Sequence, residues 1–260
     1  MFVSIAHLAP EEFRSVIARI PLLLMLIASP ALADEIHVAV AANFTAPAKA
    51  ISADFEKETG HQVILSFGAT GKFYAQIKNG APFEVLLAAD SDTPAKLEQD
   101  GAAVPGSRFT YAIGQLVLWS SKPGVVDPAG AILKEKSFNH LAIADPKLAP
   151  YGAAAWETLT ALGLLEAVKS RLVQAENIAQ AHQFVASGNA ELGFVALSQI
   201  LKNNQIIDGS AWRVPEHLYK PIRQDAVLLN KGEGKAPVLS WLNHLKSKKG
   251  QTVMRSFGYL

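Results

Sequence analysis

Residues 63–89 read VILSFGATGKFYAQIKNGAPFEVLLAA, and this stretch decides the fold. Residues 63–65 are a short apolar run of strand type. Thr70 and Gly71 open a helix that carries Phe73 and Ile77 and closes at Asn79-Gly80. Residues 85–89 form a second apolar strand. Strand, loop, helix, strand is the unit of a parallel sheet with helical cover.

The loop inside that unit, Gly68-Ala69-Thr70-Gly71-Lys72, looks like part of a nucleotide P-loop. The P-loop pattern fails at two places. Phe73 follows Gly71-Lys72 where Ser or Thr must ligate magnesium, and Ser66 stands where the first glycine belongs. A small-residue loop entering a helix still presents free N–H groups and a positive dipole end, so it suits an anion.

The same unit recurs along the chain. Residues 36–42 form a strand, and Asn43 precedes a helix with Pro47 near its start and Gly60 at its end. Residues 94–99 are a short helix. Residues 111–119 form one long strand, followed by loops at Pro123, Gly124, Pro128 and Gly130. Strands follow at 140–144, 171–175, 192–196 and 226–229, with helices after Tyr151 and Ile178 and around Trp241 and Met254. The long strand reads as a crossover, with the chain returning near residues 221–225. The expected fold class is α/β in two lobes: residues 34–114 with 225–260, and residues 115–224.

The chain has 260 residues, 50% hydrophobic and 18% charged. That suits one large or two small globular domains. Lys+Arg 24 against Asp+Glu 23 leaves a net charge of +1, so nothing points to nucleic acid. An anion would be held by local geometry. Arg14 and Arg19 precede an uncharged run, residues 20–33, that is shorter than the roughly 20 residues of a membrane span. It ends in Ala31-Leu32-Ala33, a small-x-small cleavage pattern. Residues 1–33 therefore read as a secretory signal peptide cut before Asp34. There is no cysteine, so neither a disulfide nor a lipid-carrying cysteine is available.

Ligands of open α/β sheets sit beyond the carboxyl ends of strands. Four loops there share one character: Ala42-Asn43, Ala69-Thr70-Gly71, Pro150-Tyr151-Gly152 and Asn177-Ile178. Each lies at a helix start, and two come from each expected lobe. Asn43 and Thr70 add neutral donors, and Tyr151 offers a hydroxyl. None has an acid at its critical positions, and Lys72 is the one cation. Phosphate keeps a proton near neutral pH and wants a carboxylate acceptor. A full dianion wants donors alone, so a sulfate-like or molybdate-like ion fits better. Each residue also has a plainer role. Asn43 and Thr70 can cap helices, Tyr151 can pack, and Ile178 can act through its backbone alone. Lys72 reads as a surface charge or a lobe-closing contact, Asp90 as a turn cap or an interface acid, and His182 as a helix-surface residue. The seven histidines are scattered and no GxSxG elbow is present, so metal and hydrolase sites lack support.

Taken together, VAVAANFTAP (38–47), SFGATGKFYAQIKNGAPFEVLLAAD (66–90), SRFTYAIGQLVLWS (107–120), IADPKLAPYG (143–152), AENIAQAHQFVASG (175–188) and LGFVALSQI (192–200) resemble the periplasmic molybdate-binding proteins of ABC importers. The likeness spans residues 34–260. It implies a two-lobed periplasmic-binding-protein fold of type II that closes on molybdate or tungstate in the cleft between lobes. Carried over, the oxyanion contacts are Ala42, Asn43, Thr70, Tyr151 and Ile178. Molybdenum enters as the oxyanion on these same residues. The resemblance implies a monomeric periplasmic receptor with no catalysis and no cofactor, whose partner is a membrane permease. A receptor for sulfate or another tetrahedral oxyanion is the alternative. This chain has Gly68-Ala69-Thr70-Gly71 where many members are serine-rich. It also has Leu197 where some use a tyrosine.

Overall fold

Two five-stranded sheets carry the chain, and each receives its strands from residues far apart in sequence. The structure, a computed structural model, describes residues 33–202, 205–206 and 208–260. The expected signal peptide, residues 1–33, lies outside the described residues apart from Ala33. Residues 33–260 form one compact unit.

The chain begins with β1 (Glu35–Ala41), α1 (Thr45–Thr59), β2 (Gln62–Gly68), α2 (Thr70–Lys78), β3 (Val85–Leu87), α3 (Asp92–Gln99) and β4 (Phe109–Gly114). It continues with β5 (Leu116–Ser120), α4 (Ile132–Glu135), β6 (Leu141–Ala144), α5 (Pro150–Ala161), α6 (Leu165–Val168), β7 (Leu172–Ala175), α7 (Ile178–Ala186), β8 (Leu192–Ala196) and α8 (Leu197–Ile200). A small hairpin of β9 (Leu201–Lys202) and β10 (Gln205–Ile206) leads to β11 (Ser210–Arg213). Last come β12 (Ile222–Leu228), α9 (Ala236–Lys246) and α10 (Lys248–Ser256). The first sheet has the order β2-β1-β3-β12-β4, and the second β11-β5-β8-β6-β7.

The apolar runs are continuous because the central strands are buried on both faces. In the first sheet Ile36, Val38 and Val40 pack with Ile51, Phe55 and Trp241. Ala39 and Leu86 point the other way, toward Phe73 and Leu97. That alternation is the two-residue period of a strand. Each fully buried Leu, Ile or Phe contributes about 1.5–3 kcal/mol. The second sheet has its own core around Leu116, Leu118, Phe194 and Leu159, and this core extends to Ala42, Ala69 and Ala89 of the first sheet's loops.

Several expectations are corrected. The expected strand 111–119 is two strands, β4 and β5, in different sheets, with Gln115 between them. Its apolar pattern gives no break because β5 is buried throughout and the edge strand β4 still turns Ala112 and Gly114 inward. The chain returns within residues 221–225 as expected, but the last strand, expected at 226–229, already starts at Ile222 and pairs with β4 from Gly114 onward. Arg223, Gln224 and Asp225 hide it, since polar residues mask a buried strand. Neither sheet is purely parallel: β12 runs antiparallel to β3 and β4, and β5 runs antiparallel to β8 and β11. The strand β11 and the short hairpin have no counterpart in the sequence reading.

Candidate functional site

Parallel strands β1 and β2 lie side by side in the first sheet, and parallel strands β6 and β7 in the second. Each ends at a loop that starts a helix. The four loops meet around a small cavity, far too tight for a drug-sized molecule. Ala42, Asn43, Thr70, Tyr151 and Ile178 all line it, with Ala41, Gly68, Ala69, Ala89, Ala149, Pro150 and Asn177. Among the described residues no Asp, Glu, Lys or Arg lines it.

The first N–H groups of a helix have no acceptor within the helix. Thr70 opens α2, Tyr151 is the second residue of α5, and Ile178 opens α7. Asn43 sits in a 3-10 turn, residues Ala42–Phe44, that leads into α1. Among the described residues the backbone N–H groups of these four meet no acceptor. The Thr70 hydroxyl accepts from the Ala89 N–H at 3.0 Å, so its own proton is left to donate. Four N–H groups and one hydroxyl, two loops from each sheet, thus surround a small uncharged space. Converging helix starts add the positive ends of their dipoles. Such a lining satisfies an anion that accepts on every face and carries no proton of its own.

The side chains divide differently from the backbone. Asn43 caps no helix. Its Nδ2 donates to Gln224 Oε1 and Tyr259 Oη, each at 2.9 Å. The Tyr151 hydroxyl accepts from Gln224 Nε2 at 3.1 Å. Ile178 is buried, and the cap of α7 is Asn177, whose Oδ1 accepts from the N–H groups of Ala179 and Gln180. Burial pushes the Tyr259 hydroxyl up to about 12 and those of Tyr111 and Tyr151 well above their ordinary value. All three therefore stay neutral.

Neighbouring residues take the plainer roles. Lys72 pairs with Glu176 at 2.6 Å, joining the start of α2 to the loop before α7. Asp90 accepts from the N–H and hydroxyl of Thr93 at the start of α3. Leu197 is buried and lines no part of the cavity; its N–H donates to Gln115 O. His182 is a correction: it is stacked on Trp119 at 4.8 Å, half-buried, with its pKa lowered by burial. Asp54, Glu58 and His244 come close enough to suggest a metal, but Lys249 already pairs with both acids and none of the three lines the cavity. Ala89 and Ala149 were missed from sequence because alanine carries no signal. Gln224 and Tyr259 were missed because they reach the site through the fold alone.

Residues 36–260 match the family described as bacterial extracellular solute-binding protein. The chain belongs to this family. It is 61% identical to the molybdate-binding protein ModA of Azotobacter vinelandii, over 90% of this chain and 93% of that one. It is 52% identical to the protein of the same name from Rhodobacter capsulatus, over 92% and 93%. Among solved structures, the periplasmic molybdate-binding protein of Azotobacter vinelandii superposes with a TM-score of 0.84 and 44% identity, over 86% of this chain and 98% of that one. The fold is accordingly the two-lobed α/β fold of solute-binding proteins, and the class is one of binding proteins.

Proposed function

We propose that this chain captures molybdate, and tungstate with it, and delivers the ion to an ABC import permease. One observation carries the reading: the cavity is small, uncharged and lined by donors from four helix starts. A dianion loses several strong water contacts on entry, so every oxygen needs a replacement donor. Ala42, Asn43, Thr70, Tyr151 and Ile178 supply them, chiefly through backbone N–H groups, with the Thr70 hydroxyl added. The names of the relatives point to the same ion.

The lobes are residues 34–114 with the C-terminal segment from the returning strand, and the residues between. The ion sits at their seam, and closure over it presents one surface to the permease. Selectivity against sulfate comes from cavity size, since charge and shape are shared. The protein acts in the periplasm as a monomer after loss of residues 1–33, with no catalysis and no resident cofactor. Titration calorimetry of the chain from Asp34 with molybdate, tungstate, sulfate and phosphate tests this. Tight molybdate binding is expected. Sulfate binding in its place makes the chain a sulfate receptor.

A further inference from the structure

Behind the cavity lies a buried cluster of neutral polar side chains that no loop pattern announces. Gln224 is at its centre and is fully buried. Its Oε1 accepts from Asn43 Nδ2 and from the Tyr111 hydroxyl, both at 2.9 Å. Its Nε2 donates to Tyr151 Oη at 3.1 Å. Tyr259 Oη accepts from Asn43 Nδ2 and donates to Asn43 O, both at 2.9 Å, and Ser198 Oγ donates to the same carbonyl at 2.8 Å. Asn43 is thus gripped at both ends of its amides, by residues from β12, from the C-terminus and from the second sheet's side.

Two features show that the chain is shaped around this cluster. The register of β12 against β4 shifts between Gln224 and Asp225, and such a bulge re-aims a side chain. At Gly114, where the chain leaves the first sheet, a Cβ would lie 2.0 Å from Tyr151 Oη and 2.6 Å from Gln224 Nε2. Glycine there leaves the space that the pair occupies.

We propose that Gln224, backed by Tyr259, is a positioning residue that locks the Asn43 loop of one sheet to the Tyr151 loop of the other, and so sets the spacing of the oxyanion's donors. This rests on the oxyanion reading above. An amide is suited to the role because one side chain accepts from one loop and donates to the other. A glutamate would lose the donor and place a negative charge beneath a dianion. Donors held to about half an ångström need such a supporting shell. The cluster contains no ionisable acid or base near neutrality, so it holds the loops without opposing the ligand's charge.

The test is a double-mutant cycle on molybdate affinity with Gln224→Met and Tyr259→Phe, with thermal melts of the ligand-free proteins. Gln224→Met is expected to weaken binding at least 10-fold, and Tyr259→Phe several-fold. The double variant should lose less than the product of the two, because both act through Asn43. Losses that multiply, or a folded Gln224→Met that binds within twofold of wild type, overturn the proposal. If Gln224→Met does not fold, unchanged affinity in Tyr259→Phe overturns it. Wild-type titrations with molybdate and sulfate run alongside. Failure of the wild type to bind molybdate sinks the functional reading instead, and the variants are then read with sulfate.

Discussion

Lys72 Nζ lies 2.6 Å from the Glu176 carboxylate, tying α2 of the first sheet to the loop before α7 of the second. The lysine that made residues 68–72 look like a nucleotide loop is therefore paired across the seam. Both side chains are about half exposed, at 42% and 51%. Exposed pairs contribute about 0.2–1 kcal/mol and weaken with salt. Lys72→Ala should lower oxyanion affinity about fivefold or less, and the difference should shrink in high salt. Calorimetry at two ionic strengths checks this; a loss beyond about 50-fold would make Lys72 a direct ligand.

Thr70 should matter far more. Its hydroxyl takes the Ala89 N–H and has one proton left for the cavity. Thr70→Val removes both, and hydrogen bonds to charged groups contribute about 1.5–3 kcal/mol each. The expected loss of affinity is roughly 10- to 100-fold. Thr70→Ser keeps the hydroxyl and should stay within a few-fold of wild type. Wild-type affinity in Thr70→Val would show that the hydroxyl makes no contact with the ion.

Gly71 donates its N–H to Leu148 O at 3.0 Å, a backbone bond between loops of the two sheets. A Cβ at Gly71 would lie 3.2 Å from both Cα and O of Leu148. Backbone cannot swing aside as a side chain can, so Gly71→Ala should push the loops apart. Affinity is expected to fall about 10-fold or more, as small misplacements of site groups can. The ligand-free melting temperature should change little, because neither sheet's core is touched. A large fall in that temperature with affinity unchanged would contradict this account.

Asp90 gives a pH-dependent prediction. Burial raises its pKa above the ordinary value of 3.8, and Asp92 and Asp225 push the same way, against the bonds from Thr93. The unfolded chain then releases this proton at a lower pH than the folded one. Ionised Asp90 therefore costs stability above its folded pKa, and the cost vanishes below 3.8. Asp90→Asn keeps an oxygen for the Thr93 N–H and should melt higher than wild type at pH 7. The two curves should converge as the pH falls toward 4. The variant should also bind the oxyanion more tightly, since Asp90 follows Ala89 of the cavity wall. A gap that widens on acidification would show that Asp90 is instead stabilised by its charge.

Much of this was legible in sequence because the signals are local. Apolar runs, small residues at helix starts and the lack of charge in four loops depend on neighbours within a few positions. They led to the four loops; the resemblance to the molybdate-binding proteins singled out Ala42, Asn43, Thr70, Tyr151 and Ile178 within them, and all five line one cavity. What these residues do with their side chains was not legible. Asn43 looked equally like a cap or a ligand. Its amide serves Gln224 and Tyr259, which are 181 and 216 positions away.

The sequence by itself thus determined the α/β class and the neutral character of the donor loops. Each follows from side-chain chemistry read over a few residues. Tertiary structure alone decided that residues 111–119 split between two sheets, that β12 begins at Ile222, and that a buried glutamine joins the two loops. Buried polar residues such as Gln224 and Asp225 resemble surface residues until their partners are in place. Those partners lie far along the chain, and only the folded packing supplies the hydrogen bonds that make their burial possible.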